Sequence, residues 1–427
     1  MQKPLYDYDI YPKVVLAGKG TDIHIRPMSP ALAFTQDQDY EIEILPTTES
    51  LEGTGKAYPR VCVHPKDGVL SFFWAFEGEQ EHFIRLHRTD RDRPFLCECQ
   101  LSVYSVKQDL FTRRPYRGDF HVHTTCSDGR EAPSFVAAMY RQKGFDFMAV
   151  TDHGLWEPSQ EAMDAYAQTA IDLRLFHGEE VHAPGNPVHI INFGGSFSVN
   201  ELFRQDEAGY YEAVRAIERQ LPPLGEGISR FEYASCLWCV DQVRRGGGMA
   251  IFCHPHWLAN VYHIPDAMTR VLLRAGIFDA FELVSGQSLR ENMMQYALYG
   301  DLRAEGVQIP IVGSSDSHGV IDGKEFNHMK TLVFSPSLER EDINRSVMEG
   351  YSVPMDEYPG EQPRMQGSYR MVSYARFLLA HYFPYHDELC YEEGRLMRAY
   401  QAGERTAAEA LERLSGRTRR LMEHYFA

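Results

Sequence analysis

A chain of 427 residues with 44% hydrophobic, 12% aromatic and 24% charged residues can fill two domains, or one large barrel with additions, and is neither disordered nor collagen-like. With 43 Lys and Arg against 60 Asp and Glu the formal charge is -17, a field that repels polyanions and argues against long nucleic acid as a partner. No apolar run approaches the roughly 18 residues that span a bilayer, and MQKPLYDYDIYPKVV lacks the basic start and apolar middle of a signal peptide, so a cytoplasmic protein without membrane association is expected.

Residues 1–115 carry the runs YEIEILP, RVCVHP, VLSFFWAFEG, EHFIRLHR and FLCECQLSVYSV between Gly, Pro and Asp turns. These predict antiparallel strands, a β-sandwich-like accessory domain. From residue 116 the rhythm changes. FMAVTDHG, LRLFHGEEV, VHIINFGG, GMAIFCHPHW, FDAFELVSG and IPIVGSSDSHG alternate with helical stretches, which predicts a parallel sheet and, with so many units, an α/β barrel over 116–355. In APSFVAAMYRQKG, Pro133 suits a helix start and Gly144 its stop. Residues 356–427, with ARFLLAHYF, EEGRLMRAYQAG and TAAEALERLSGRTRRLMEHYFA, predict a helical C-terminal extension. The cysteines are scattered, and the one C-x-x-C, Cys236 to Cys239, lacks a second pair at zinc-ribbon spacing; reduced core thiols are expected.

The chemistry concentrates where the strand runs end, the face on which such barrels carry function. Side chains alternate along a strand, so His121 and His123 of GDFHVHTTCSDGRE share a face and can grip one ion. Later strand ends add Asp152 and His153, then Glu179, Glu180 and His182, then His189, then His254 and His256, then Asp316 and His318. A mixed imidazole and carboxylate set suits Zn, Mn or Fe better than Mg or Ca. Spacing after Gly178 favours Glu180 over Glu179 as a ligand, while His182 is left ambiguous.

These motifs, H-x-H-T-x-x-S-D-G at 121–129, T-D-H at 151–153, G-x-E at 178–180, C-H-P at 253–255 and S-D-S-H at 315–318, resemble in order those of the PHP (polymerase and histidinol phosphatase) family of metal-dependent phosphoesterases. The resemblance covers about residues 118–350. It implies a distorted, TIM-like (β/α)7 barrel with a trinuclear site holding two or three divalent ions. By it, His121, His123, Glu180 and Asp316 hold a first metal. Glu180 bridges to a second, held also by His189 and His254, and Asp128, His153 and His318 hold a third. Asp128 stands where some members carry histidine, as in the branch acting on small phosphorylated molecules and short nucleotides.

The same resemblance implies that Glu180, the bridging ligand, is also the catalytic carboxylate. His256 is a candidate proton donor or loop-packing residue, and Trp257 a candidate wall of the substrate pocket. Arg130 is a candidate phosphate contact or a surface ion pair, since a guanidinium fork matches phosphate oxygens. Arg290 and Asn292 are candidate substrate contacts on the same rim; Asp152 and Glu282 are expected to orient ligands. The function expected is hydrolysis of a small phosphorylated metabolite or short nucleotide by metal-activated water attacking phosphorus. The alternatives are 3'-5' exonuclease-like trimming, hydrolysis of a non-phosphate bond, and a non-catalytic metal-braced binding module. The N-terminal region is compatible with packing on the barrel, with self-association as a homo-oligomer, or with binding a polymer.

Overall fold

The computed structural model describes residues 6–51, 53–88, 97–321 and 323–427; Phe95 and Leu96 of the FLCECQLSVYSV run lie outside them. The chain divides into two compact units: residues 1–114 with 369–386 and 416–427, and residues 115–368 with 387–415.

In the first unit β1 (Tyr8–Tyr11), β2 (Val14–Leu16), β3 (Gly20–Pro27), β4 (Tyr40–Pro46), β5 (Arg60–Val63), β6 (Leu70–Ala75), β7 (Gln80–Arg88) and β8 (Cys97–Val106) form two sheets, ordered β1-β3-β6 and β2-β8-β7-β4-β5. Alternation decides the register: in β6, Leu70 and Phe72 face in while Ser71 and Phe73 face out. Ile23, Ile25, Leu70 and Phe72 of one sheet share a core with Ile42, Ile84, Leu86 and Val103 of the other. The helix Tyr369–His381 is tied to this unit by Arg370, whose guanidinium meets Glu79 at 2.6 Å and Asp109 at 2.7 Å. Ala427 N donates to Val14 O at 3.1 Å, and Lys13 N donates to Tyr425 O at 2.8 Å.

The second unit is mixed α/β. One sheet takes the order β11-β10-β9-β17-β18-β19, from β9 (Arg114–Asp119), β10 (Phe147–Ala149), β11 (Arg174–Phe176), β17 (Met329–Ser335), β18 (Ser352–Asp356) and β19 (Arg364–Met365). The other runs β12-β13-β14-β15-β16, from β12 (Gly178–Val181), β13 (Ile190–Phe193), β14 (Met249–Phe252), β15 (Ala280–Val284) and β16 (Ile311–Gly313). The sheets curl, and two parallel single-residue bridges, His153 with Glu180 and Val122 with Ser317, link the ends of β10 with β12 and of β9 with β16. The uniformly parallel succession expected from the sequence is not found. β12, β13 and β14 pair antiparallel, because only eight residues join β12 to β13, too few for a helical crossover. The helix Pro133–Gln142 starts on Pro133, with Gly144 beyond its end at φ 86°.

Among the described residues Cys62, Cys126, Cys236, Cys239 and Cys253 are free thiols, and no helix is long and apolar enough to cross a membrane.

Candidate metal centre

The strand ends are stitched together by backbone bonds: Asp316 N to His121 O at 2.9 Å, His123 N to Ser317 O at 2.9 Å, Thr151 N to Val122 O at 2.8 Å and Glu180 N to Thr151 O at 3.1 Å. Four separate motifs therefore deliver their side chains to one place. Two of the delivered residues have left-handed backbone, His254 at φ 27° and Asp316 at φ 48°, a conformation that non-glycine residues hold only where the surroundings enforce it.

Glu180, fully buried, is the hub. Its Oε2 lies 3.5 Å from Nε2 of both His121 and His123, 2.7 Å from Nδ1 of His153 and 3.5 Å from Nε2 of His182. Its Oε1 lies 2.7 Å from Nδ1 of His189 and 3.3 Å from Nε2 of His254. Beside it, Asp316 Oδ1 is 3.2 Å from His121 Nε2 and 3.0 Å from His123 Nε2. Towards solvent, Asp128 Oδ2 is 3.4 Å from His153 Nε2 and 3.3 Å from His318 Nε2. All nine residues expected as ligands thus converge, sealed at the His121 end and open at Asp128.

These contacts are short, yet several are not aligned as hydrogen bonds. Glu180 Oε2 and the Nδ1 atoms of His123, His189 and His254 are buried without a hydrogen-bond partner. His121 Nε2 and His123 Nε2 stand 3.0 Å apart, close to the roughly 3.3 Å edge that two imidazoles make when they share a tetrahedral cation. Buried polar atoms are normally paired, so unpaired Glu180 Oε2, His189 Nδ1 beside Glu180 and His123 Nδ1 beside Asp128 fit divalent cations, while His254 faces Glu180 through its other nitrogen. Several subsets of the converging residues, among them His121 with His123 and Glu180, and Asp128 with His123, His153 and His318, could each hold an ion.

The electrostatics agree. Burial opposes ionisation of Glu180 and Asp316, but the surrounding imidazoles, His121 foremost, outweigh it and hold both carboxyls well below their usual range. Burial works against charge on His121 as well, and Asp316, Glu180 and Glu282 together raise its pKa well above normal. At His189 burial wins over Glu180 and the pKa falls to about 4, so the ring is a neutral donor.

A second layer holds the first. Glu282, buried on β15, lies 3.1 Å from His121 Nδ1 and so turns the His121 Nε2 lone pair inward. Asp152 accepts from Thr124 N at 2.7 Å, Thr124 Oγ1 at 2.6 Å and Ser127 Oγ at 2.5 Å, fixing the loop that carries Asp128. Gly129 is required in that loop, since a Cβ there would lie 2.6 Å from the backbone of His123 and Thr124. Glu179 points to the opposite face from Glu180. It is buried and accepts from Asn192, Ser198, Val199 and Asn200, and so anchors the helix Val199–Gln205.

The remaining candidates are scattered around this centre. Arg130 is exposed, its stem against Gly319, where a Cβ would lie 3.1 Å from Arg130 Cδ, next in sequence to His318. Trp257 is 38% exposed, its ring 6.1 Å from that of His254. His256 is buried with its ring edge-on to Tyr262, and the charges nearest it are Asp266 and Arg270. Arg290 is exposed at the start of the helix Leu289–Ala304, and Asn292 is buried, bonded to both backbone groups of Ser285. Sequence reasoning missed Gln287 and, though it places His263 near the rim, does not single that residue out. Gln287 Nε2 donates to Asp316 Oδ2 at 3.0 Å, and His263 packs its ring 4.5 Å from His189 while bonding Pro187 O at 2.7 Å.

No protein-family model matches the chain, and no curated protein matches it. Solved structures similar to it include a two-domain protein from Bacteroides vulgatus containing a predicted PHP-like metal-dependent phosphoesterase, at 16% identity and TM-score 0.40, covering 57% of this chain and 65% of that one. Another, from Bifidobacterium adolescentis and described as a metal-dependent phosphoesterase, is 19% identical with TM-score 0.35 over 49% of this chain and 91% of that one. An amidohydrolase from Chromobacterium violaceum with bound sulfate and no metal is 19% identical with TM-score 0.33, over 49% and 90%. This chain spans just under two thirds of the Bacteroides protein. Likenesses this distant carry none of the functional reading, which rests on the site itself.

Proposed function

We propose that the chain is a metal-dependent hydrolase of phosphate esters, acting on a small phosphorylated metabolite or a short nucleotide, with residues 116–355 as its catalytic domain. The observation that supports it is the buried Glu180 carboxylate, with six imidazoles within 3.5 Å and the Asp316 carboxylate alongside. The two curled sheets and the bridges between them support reading that domain as a closed, distorted (β/α)7 barrel of the PHP type. His121, His123, Glu180 and Asp316 would hold one cation, Glu180, His189 and His254 a second, and Asp128, His153 and His318 a third. When bound, such ions acidify water and neutralise charge on a phosphoryl group.

The chain's own residues do the positioning. Glu282 fixes the His121 ring, and Asp152 fixes the turn carrying Asp128. Arg130, on the open side beside His318, meets the phosphate as a cationic fork. Trp257 forms an apolar wall and Arg290 a second cationic contact. His256, packed on Tyr262, steadies the loop carrying Trp257.

The test is turnover by manganese-loaded protein of p-nitrophenyl phosphate, bis-p-nitrophenyl phosphate, phosphorylated sugars, short oligonucleotides, anilides and lactones. Phosphate-ester cleavage that Glu180→Gln abolishes in a folded protein is expected. Cleavage confined to anilides or lactones, fewer than two metal equivalents, or full activity in Glu180→Gln would overturn the reading.

A further inference from the structure

The hub draws in one imidazole more than the ligand set above uses. His182 lies two residues beyond Glu180, so its side chain leaves the chain on the same face. Its Nε2 lies 2.9 Å from His153 Nδ1 and 3.5 Å from Glu180 Oε2, and His153 Nδ1 is 2.7 Å from the same oxygen. Three donor atoms from two strand ends therefore form a compact triangle, one of the groupings able to hold an ion. Its oxygen corner is buried and has no aligned hydrogen-bond partner, although four imidazole nitrogens surround it. The His182 backbone is held in place by Asn200 Oδ1 at 3.0 Å, and its ring packs 4.0 Å from that of His189. The position is built, and no structural requirement of the core explains it.

We propose that His182 is a metal ligand which, with His153 Nδ1 and Glu180 Oε2, forms a further cation position at this centre. The inference rests on the proposed function and adds a donor to it. It has a chemical corollary. A neutral imidazole offers one lone pair, and the other nitrogen of His153 faces Asp128 Oδ2 at 3.4 Å. His153 serves either the outer position with Asp128 and His318, through Nε2, or the inner one with His182 and Glu180, through Nδ1. The two are alternative seats for one ion, and the inner seat holds it against the bridging carboxylate.

The experiment is a titration of chelator-stripped full-length protein with Co²⁺, followed by visible absorption and by equilibrium dialysis, for wild type, His182→Ala, His182→Gln and Asp128→Ala. Both His182 variants should bind one Co²⁺ weaker by roughly tenfold or more, with a changed ligand-field spectrum. Thermal unfolding of the metal-free forms should not move, because His182 is partly exposed. Asp128→Ala should retain the spectral component that His182→Ala loses. Wild-type binding of two or more ions with unchanged affinities and spectra in both His182 variants overturns the His182 assignment alone. Wild type that binds no Co²⁺ overturns the proposed function with it.

Discussion

Replacing Glu282 by Gln removes one charge from the second layer while keeping its shape. The Glu282 carboxylate is fully buried and 3.1 Å from His121 Nδ1. At that distance and an effective dielectric of about 20, the attraction between carboxylate and imidazolium is about 5 kcal/mol. Most of it is offset by several kcal/mol of desolvation, and burial is the foremost influence on Glu282, raising its pKa. What survives is orientation. A carboxylate can only accept, so it keeps the proton on Nδ1 and the Nε2 lone pair aimed at Glu180 and Asp316; an amide can also donate, which lets the ring take the other tautomer. Loss of such a partner weakens metal binding by about 10–100-fold, which is about 1.4–2.7 kcal/mol. Calorimetric titration of chelator-stripped protein with Mn²⁺ or Zn²⁺ reads this directly. Thermal unfolding of the metal-free variant should stay level or rise, since a buried charge has gone. Equal affinities in variant and wild type, or a metal-free variant that melts far earlier, would refute the reasoning, the second by showing that Glu282 serves the fold.

Three further outcomes are expected. Glu393→Leu takes from the fully buried Arg141 the carboxylate that meets its Nε at 2.8 Å; it should cost about 3 kcal/mol in urea unfolding, much of it recovered with Arg141→Met, and a silent single variant would contradict this. His82 is buried, bonded through Nε2 to Ser105 Oγ at 2.9 Å, and burial lowers its pKa from 6.5 to about 4 despite Glu81. Between those values the unfolded chain binds the proton and the folded one does not, so stability falls as pH drops from 6.5 to about 4, by up to about 3 kcal/mol. The urea midpoint of His82→Gln should fall less steeply over that window, and parallel curves would exclude the effect. Gly129→Ala forces a methyl within 2.6 Å of the His123 backbone; it should cost about 1–3 kcal/mol and weaken the outermost cation, and an unchanged melting temperature with unchanged metal content would count against the close packing described.

The site was readable because its geometry is short-range. A period of two puts His121 and His123 on one face whatever the fold, and the same rule sets Glu180 and His182 together with Glu179 opposed. What lay beyond reach was long-range. Nothing in the spacing of His263 or Gln287 marks them, since the contacts with His189 and Asp316 arise only when separate loops fold over one another. Alternation put His182 on the right face but could not say that His153 would turn Nδ1 towards it. The antiparallel β12-β13-β14 run was hidden for a different reason: fully buried strands read as continuous apolar runs in either direction, and only the short connection after Val181 betrays the reversal.

The first compact unit gathers residues 1–114 with two stretches from more than 250 positions later, 369–386 and 416–427. During translation its sheets must wait for partners the ribosome has yet to make: Arg370 to engage Glu79 and Asp109, and Tyr425 to bond Lys13. Contacts at such sequence separation form late and slowly. A nascent chain halted near residue 355 would hold the stretch proposed for catalysis and still leave the amino-terminal sheets unfinished, and for the same reason no single cut in the gene would release them as a self-sufficient fragment.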